Sequence, residues 1–313
     1  MTTFTAESTA PNRAIRQQQL ANETNFATYT IPQMPDAEAD DIYERAMEAE
    51  RALASPGLTI EGYDGGTART VDELLVVQGI GTLLTAEHAT AHWRFNKDAP
   101  ARHWVGSDYG TAALSQLVHE DTGAAHIVPT GRQTMDANHD VQHPLKQAMS
   151  NVLASDAIRA HFGLHGINLG RVRSLADERG FNIILGVGSD PSDETKDLAD
   201  KLLVVAKKYD LRIGINQPVM QFLDADGTPK TNEDGTNKTI TFAAKTAGTT
   251  RTHAQKAAQE LGKPLATIQL EISQALRLLP GEHKQYPGRD SQRMGVYLGY
   301  LFVKESAEAV LLG

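Results

Sequence analysis

Cysteine is absent from the chain, so neither disulfides nor thiolate metal sites can form, and any bound metal must rest on His, Asp or Glu. An excess of positive charge is lacking too: 30 Lys and Arg stand against 39 Asp and Glu, a formal net charge of -9. A chain of that sign has no surplus of cations to displace counterions from a phosphate backbone, which argues against nucleic acid as a partner. No apolar stretch approaches the ~20 residues of a membrane span. Residues 1–33, rich in Thr, Ala, Gln and Asn, have no apolar core of the kind a secretory signal needs. The expected location is the cytoplasm, with no membrane partner, and the sequon-like triplets at Asn22 and Asn237 then mean nothing.

What is present is a composition of ordinary globular type, 40% hydrophobic and 22% charged, over 313 residues, enough to bury a large core. A boundary is expected at 57–66, where glycines cluster behind Pro56. Residues 1–66 read as an N-terminal arm with one acidic helix over 37–53. Its narrow stripe of Ile42, Ala46 and Ala49 predicts a place on the surface or against a partner, and the arm could join copies into a homo-oligomer. Residues 67–313 read as one α/β domain, in which strand-type runs at 81–86, 125–128, 162–165, 181–187, 211–216 and 266–272 alternate with segments of helical period.

A helix is expected from Asp108 to Glu120, stopping at Gly123, with Leu114, Leu117 and Val118 on its buried face. Another should start at Asp190-Pro191-Ser192-Asp193-Glu194, with a capping Asp, and end at Lys207-Lys208. Turn signals at 224–227 and at Asp234-Gly235 predict a long hairpin within 218–252 that projects from the core.

Two histidines stand at expected strand ends, where α/β sheets bind ligands: His88 after the run 81–86, and His165 with Gly166 allowing a sharp exit. With Asp108 at a helix start they would make three metal ligands and leave one open position. A strand-end histidine is also a common structural hydrogen-bonding residue, and His88 with His92 forms a second possible pair if that segment is helical. Glu271 interrupts an apolar strand. Alternation puts it with Gln269 on an outward face, whereas a functional reading makes it a general base with its pKa raised by burial.

Several blocks then resemble, in order, the N-formylglutamate amidohydrolase-like family over about residues 80–280. Ala86-Glu87-His88-Ala89-Thr90 is similar to its Asp/Glu-His-Ala-Ser/Thr opening, and Ser107-Asp108-Tyr109-Gly110 to its Asp-Ile-Gly-Ala helix start. The stretch 132–138 resembles its Ser-Arg-x-x-Ile-Asp-x-Asn-Arg motif, His165-Gly166 its His-Ser, Asn216-Gln217-Pro218 its Asn-x-Pro, and 266–272 its Gln-x-Glu-Ile strand.

The resemblance implies a three-layer α/β/α, phosphorylase/hydrolase-like mixed sheet, related to zinc carboxypeptidases and aspartoacylase. It also implies one divalent metal, zinc, on His88, Asp108 and His165. Glu271 would be the general acid/base, Arg132 the catalytic cation, and Asp136, Asn138, His139 and Asn216 the substrate contacts. Where the family reads Asn-Arg this chain has Asn138-His139, so one guanidinium is missing and Arg132 is the candidate to replace it. The hairpin is also longer than the family's and could cover or reshape the pocket. The implied activity is hydrolysis of the amide of an N-formyl or N-acyl amino acid. The alternatives are a peptide or poly-glutamate hydrolase, and a non-catalytic binding or structural protein on the same fold.

Overall fold

The apolar runs become strands of a central sheet whose two faces are both covered. The computed structural model describes residues 36–53, 73–96, 99–105, 107–167, 172–174, 181–216, 219–223, 228–277 and 289–311. Edge to edge, the seven-stranded sheet runs from β1 (Leu74–Val77) through β5 (Ala125–Pro129), β2 (Gly81–Thr85), β6 (Ile158–Ile167), β12 (Ala266–Ser273) and β8 (Ile183–Gly186) to β9 (Ile213–Ile215). Strands β5, β2, β6 and β12 are parallel, β1 and β8 run against their inner neighbours, and β9 is parallel to β8. Strands β3 (His92–Asn96) and β4 (Ala99–Val105) form a separate hairpin. Strands β7 (Val172–Ser174), β10 (Val219–Phe222) and β11 (Thr239–Thr241) form a third, small sheet.

Period-2 alternation divides the central strands into two chemically different faces. Leu84, Phe162, Leu164, Ile268 and Leu270 share one core with helices α1 (Asp36–Leu53), α2 (Thr111–Thr122), α4 (Asp193–Lys208) and α6 (Arg289–Leu311). On the other face Leu83 and Ile127 pack on α3 (Pro144–Leu153) and α5 (Thr250–Leu261) through Leu145, Met149, Ala254 and Ala258. The result is the expected three-layer α/β/α arrangement. In β6 and β12 the second face is polar, carrying His161, His165, Thr267, Gln269 and Glu271, all buried. No described helix is long and apolar enough to cross a membrane.

The structure departs from the sequence reading at several points. The apolar stripe of helix α1 is buried within the chain itself: Ala39, Ile42 and Ala46 lie in the main core, and the carboxylate of the fully buried Glu50 accepts from the backbone N–H groups of Gly110 and Ala113 at 2.9 and 3.1 Å. Glu50 thereby satisfies two amides at the start of α2, whose own N-cap is a glycine with no side chain to do so. Helix α4 is capped by Ser192, whose hydroxyl accepts from Thr195 N, and not by Asp190; Pro191 lies one residue outside. The hairpin is shorter than 218–252, running from β10 to β11 with its exposed tip at Gly235, because Thr249 already caps α5. The boundary at 57–66 and the turn at 224–227 lie outside the described residues.

Candidate metal centre

Three chain segments meet at the carboxyl end of the parallel strands. Strand β2 ends at Thr85, and the turn that follows carries Glu87 and His88. Asp108 lies two residues before the Gly110 N-cap and not inside α2. Its backbone N–H donates to the His88 carbonyl at 2.6 Å, which sets the two side chains side by side. His165 lies within β6, which continues to Ile167, so Gly166 is no exit from the strand. A Cβ at Gly166 would stand 2.5 Å from the Arg277 guanidinium. Arg277 occupies that space and donates to the carbonyls of Ile272 and Tyr109, tying the end of β12 to the Asp108 loop.

His88, Asp108 and His165 offer donor atoms that all lie within 4.8 Å of one another. The Nδ1 atoms of His88 and His165 stand 3.4 and 3.5 Å from the same Asp108 oxygen, Oδ2. Ligands of a tetrahedral zinc, each at ~2.0 Å from the ion, are ~3.3 Å apart, so the spacing suits a shared cation.

The remote nitrogens strengthen the fit. His88 Nε2 faces Asp136 Oδ1 at 2.9 Å, and His165 Nε2 faces Glu87 Oε2 at 3.2 Å. A carboxylate behind each ring favours the proton on Nε2 and Nδ1 as the lone-pair donor, the arrangement that orients metal-ligating histidines, while Arg94 Nη2 also approaches His88 Nε2 at 3.2 Å. The Glu87–His165 contact has the separation of an ion pair without the alignment of a hydrogen bond. Asp108 is the least buried of the three candidate ligands, its side chain 20% exposed against 9% and 4% for the histidines, so the open side of the site lies there.

A second group, His88, His92 and Asp136, also has metal-like spacing. It is the poorer site. Asp136 Oδ2 already accepts from Arg94 Nε and Oδ1 from the backbone N–H groups of Asn138 and His139, and a guanidinium at that position repels a cation. His88 and His92 are not on a helix: His92 opens β3, and the two rings stack at 4.3 Å.

Charge follows this geometry. Burial alone would raise Asp108, yet the facing His165 and His88 hold it well below the usual carboxylate range. Burial would lower His88, but Asp136 and Asp108 together push it up to about 9; His165 is raised against its burial mainly by Glu87. Both shifts favour the charged form of the imidazole rings over the burial that opposes it. Glu271 is paired in register with His165 on the adjacent parallel strand, so both side chains rise from the same face. It is 5% exposed and its pKa is raised by burial, as a proton-accepting carboxylate requires. Alternation misplaced it outward because β12 is central and its second face is the floor of the site.

The remaining expected residues divide. Arg132 is buried on the loop after β5, one residue before Gln133, which bridges to His92. His139 lies on the same loop and is exposed. Asp136, expected to touch substrate, is committed to His88, Arg94 and its own loop. Asn138 Oδ1 accepts from Thr250 N at 3.0 Å. Asn216 holds a left-handed conformation, φ 50, and its carboxamide binds the backbone of Val187 and Gly188, bracing the end of β8 rather than reaching a ligand. Sequence reasoning missed Glu87 as an orienting carboxylate. Its Oε1 accepts from Thr85 at 2.7 Å and from Thr250, and Gly163 leaves room for it: a Cβ there would stand 2.8 Å from that oxygen. The Glu before His88 was in view, but its partner Thr250 is 163 residues further on.

No family model matches the chain, and no curated protein matches it. Among solved structures the chain is similar to purine nucleoside phosphorylase from Toxoplasma gondii, with 10% identity over 76% of this chain and 93% of that one and a TM-score of 0.34. It is similar to the Schistosoma mansoni purine nucleoside phosphorylase at 9% identity, covering 87% and 96%, TM-score 0.31. A third is 5'-methylthioadenosine nucleosidase from Arabidopsis thaliana, at 14% identity, covering 75% and 96%, TM-score 0.24. Likenesses of this size carry no argument about activity, so the chemistry rests on the side chains.

Proposed function

We propose that the protein is a metal-dependent hydrolase that cleaves the amide of an N-formyl or N-acyl amino acid. The observation that carries this reading is the set of two histidine nitrogens around one Asp108 oxygen, each ring backed by a carboxylate. The donor set is all nitrogen and oxygen, which suits zinc in a chain without cysteine. When bound there, a divalent metal supplies Lewis acidity and lowers the pKa of water toward ~7. The ordered resemblance to the N-formylglutamate amidohydrolase-like family supports the choice of a linear amide as substrate.

The chain's own groups then have separate tasks. Glu271 accepts the proton of the attacking water as the new C–O bond forms. It returns that proton to the amine nitrogen as the C–N bond breaks, and the second proton of the water passes from the new carboxyl group to the amine, so the products are a carboxylate and an ammonium. Arg132 is assigned to the carbonyl oxygen, where a guanidinium offsets the charge that develops. Asp136 and Glu87 hold the histidine rings in the ligating tautomer and touch no substrate.

Glu271→Gln keeps shape and removes the base. We expect the variant to bind metal with wild-type stoichiometry and to lose at least ~100-fold in kcat on an N-formyl or N-acyl amino acid, the scale of a general base. Undiminished turnover in this variant would remove Glu271 from the mechanism.

A further inference from the structure

Arg251 is 4% exposed, yet its Nε and Nη2 make no hydrogen bond, and it forms no ion pair with any described residue. A guanidinium does not deprotonate in a protein, so burying one without an anion is among the more costly things a fold can do. The surroundings are nevertheless built to hold it there. Gly188, at φ +84 just beyond the end of β8, has no Cβ; one added there would stand 2.2 Å from Arg251 Nη1. Gly188 is itself fixed on two sides, its N–H donating to the Ala243 carbonyl and its carbonyl accepting from Asn216 Nδ2.

The position is tied to the metal centre. Thr250, the preceding residue, donates to Glu87 and, through its backbone, to Asn138. The strand that Gly188 follows, β8, pairs with β12 beside Glu271. The first-turn amides of α5 cannot serve an anion alone, because those of Thr250 and Thr252 are taken by Asn138 and Thr249. The guanidinium is the side-chain donor that is left. Its two unpartnered groups, Nε and Nη2, share one edge of the fork, and that edge matches the two oxygens of a planar carboxylate.

We infer that Arg251 is an anion-binding subsite beside the metal centre that takes a carboxylate of the ligand in two-pronged fashion, with Gly188 making room for the guanidinium. This deepens the reading of the site as an amide hydrolase: the substrate is an acylated amine that carries a carboxylate, and Arg251 selects it.

The test uses metal-free protein, so that its outcome does not depend on turnover. Acetate and glutarate are titrated at constant ionic strength while thermal unfolding is followed. Wild-type protein should gain about 2 to 4 °C at ten times the dissociation constant. Arg251→Met keeps the bulk without the charge; it should lose that gain and, in anion-free buffer, unfold no lower than wild type. Arg251→Lys keeps the charge without the fork and should bind acetate at least tenfold more weakly, which covers the case in which the Met variant does not fold. His165→Ala should retain the gain, so a failed hydrolase assay with an intact acetate response would remove the activity and leave the subsite. No stabilisation of wild type by either carboxylate, an undiminished gain in Arg251→Met, or an equal gain from inorganic phosphate would overturn the assignment.

Discussion

At the scale of single residues, buried carboxylates do the positioning. Glu87 is the clearest case, because it faces His165 Nε2 with one oxygen and accepts from two threonine hydroxyls with the other. Glu87→Gln would aim an amide N–H at Nε2 and drive the ring proton to Nδ1, where it blocks ligation. Metal affinity should fall ~10- to 100-fold in a competition titration against a chelator, the usual effect of losing such a partner. Equal affinity would show that His165 does not depend on Glu87. Glu50 acts on stability instead. Burial pushes its carboxyl up to about 7 from an ordinary value of 4.5, against the two amides it caps, which lower it. The folded protein then holds this proton more tightly than the unfolded chain. Stability from this group is full below pH 4.5 and lost as pH rises through 7. The loss is on the order of 3 kcal/mol. Denaturant unfolding between pH 4.5 and 8 should show that slope, and Glu50→Gln should flatten it.

At the scale of elements, the strands were the most legible part of the chain. Each of the six expected runs coincides at least in part with an observed strand, because apolar runs bounded by turn residues have few other ways to bury themselves. Strands β1, β3, β4 and β7 went unrecognised; three of them lie outside the main sheet, and β1 is only four residues long. Helix α1 was found but misplaced, since a narrow alanine-rich stripe among carboxylates resembles a surface helix. The contact that docks it is the buried Glu50 on the start of α2, which no periodicity reports. Ile42→Ala decides between the two placements: burial at 3% predicts a loss of ~2 to 5 kcal/mol in unfolding free energy. A surface position predicts almost none.

At the scale of the whole molecule, the two faces of one sheet differ: one is apolar throughout, and the other joins a smaller core to the candidate site. One face is apolar across β2, β6, β12 and β8, and four helices close over it. The other carries the histidines and Glu271 toward the carboxyl ends of the strands. That His88, Asp108 and His165 come together could be anticipated from sequence because each stands beside a strand-type run or just before a helical pattern. Arg251, Gly188 and Glu87 were not, since each has meaning only through a partner that the fold delivers from elsewhere in the chain.

His88, Asp108 and His165 are proposed to form one cation site. The most direct measurement is metal content after equilibration with zinc and removal of excess. About one zinc per chain is predicted for wild type and for His92→Ala, with near-complete loss in each of His88→Ala, Asp108→Ala and His165→Ala. No bound zinc in the wild-type protein, or full binding by Asp108→Ala, would contradict it.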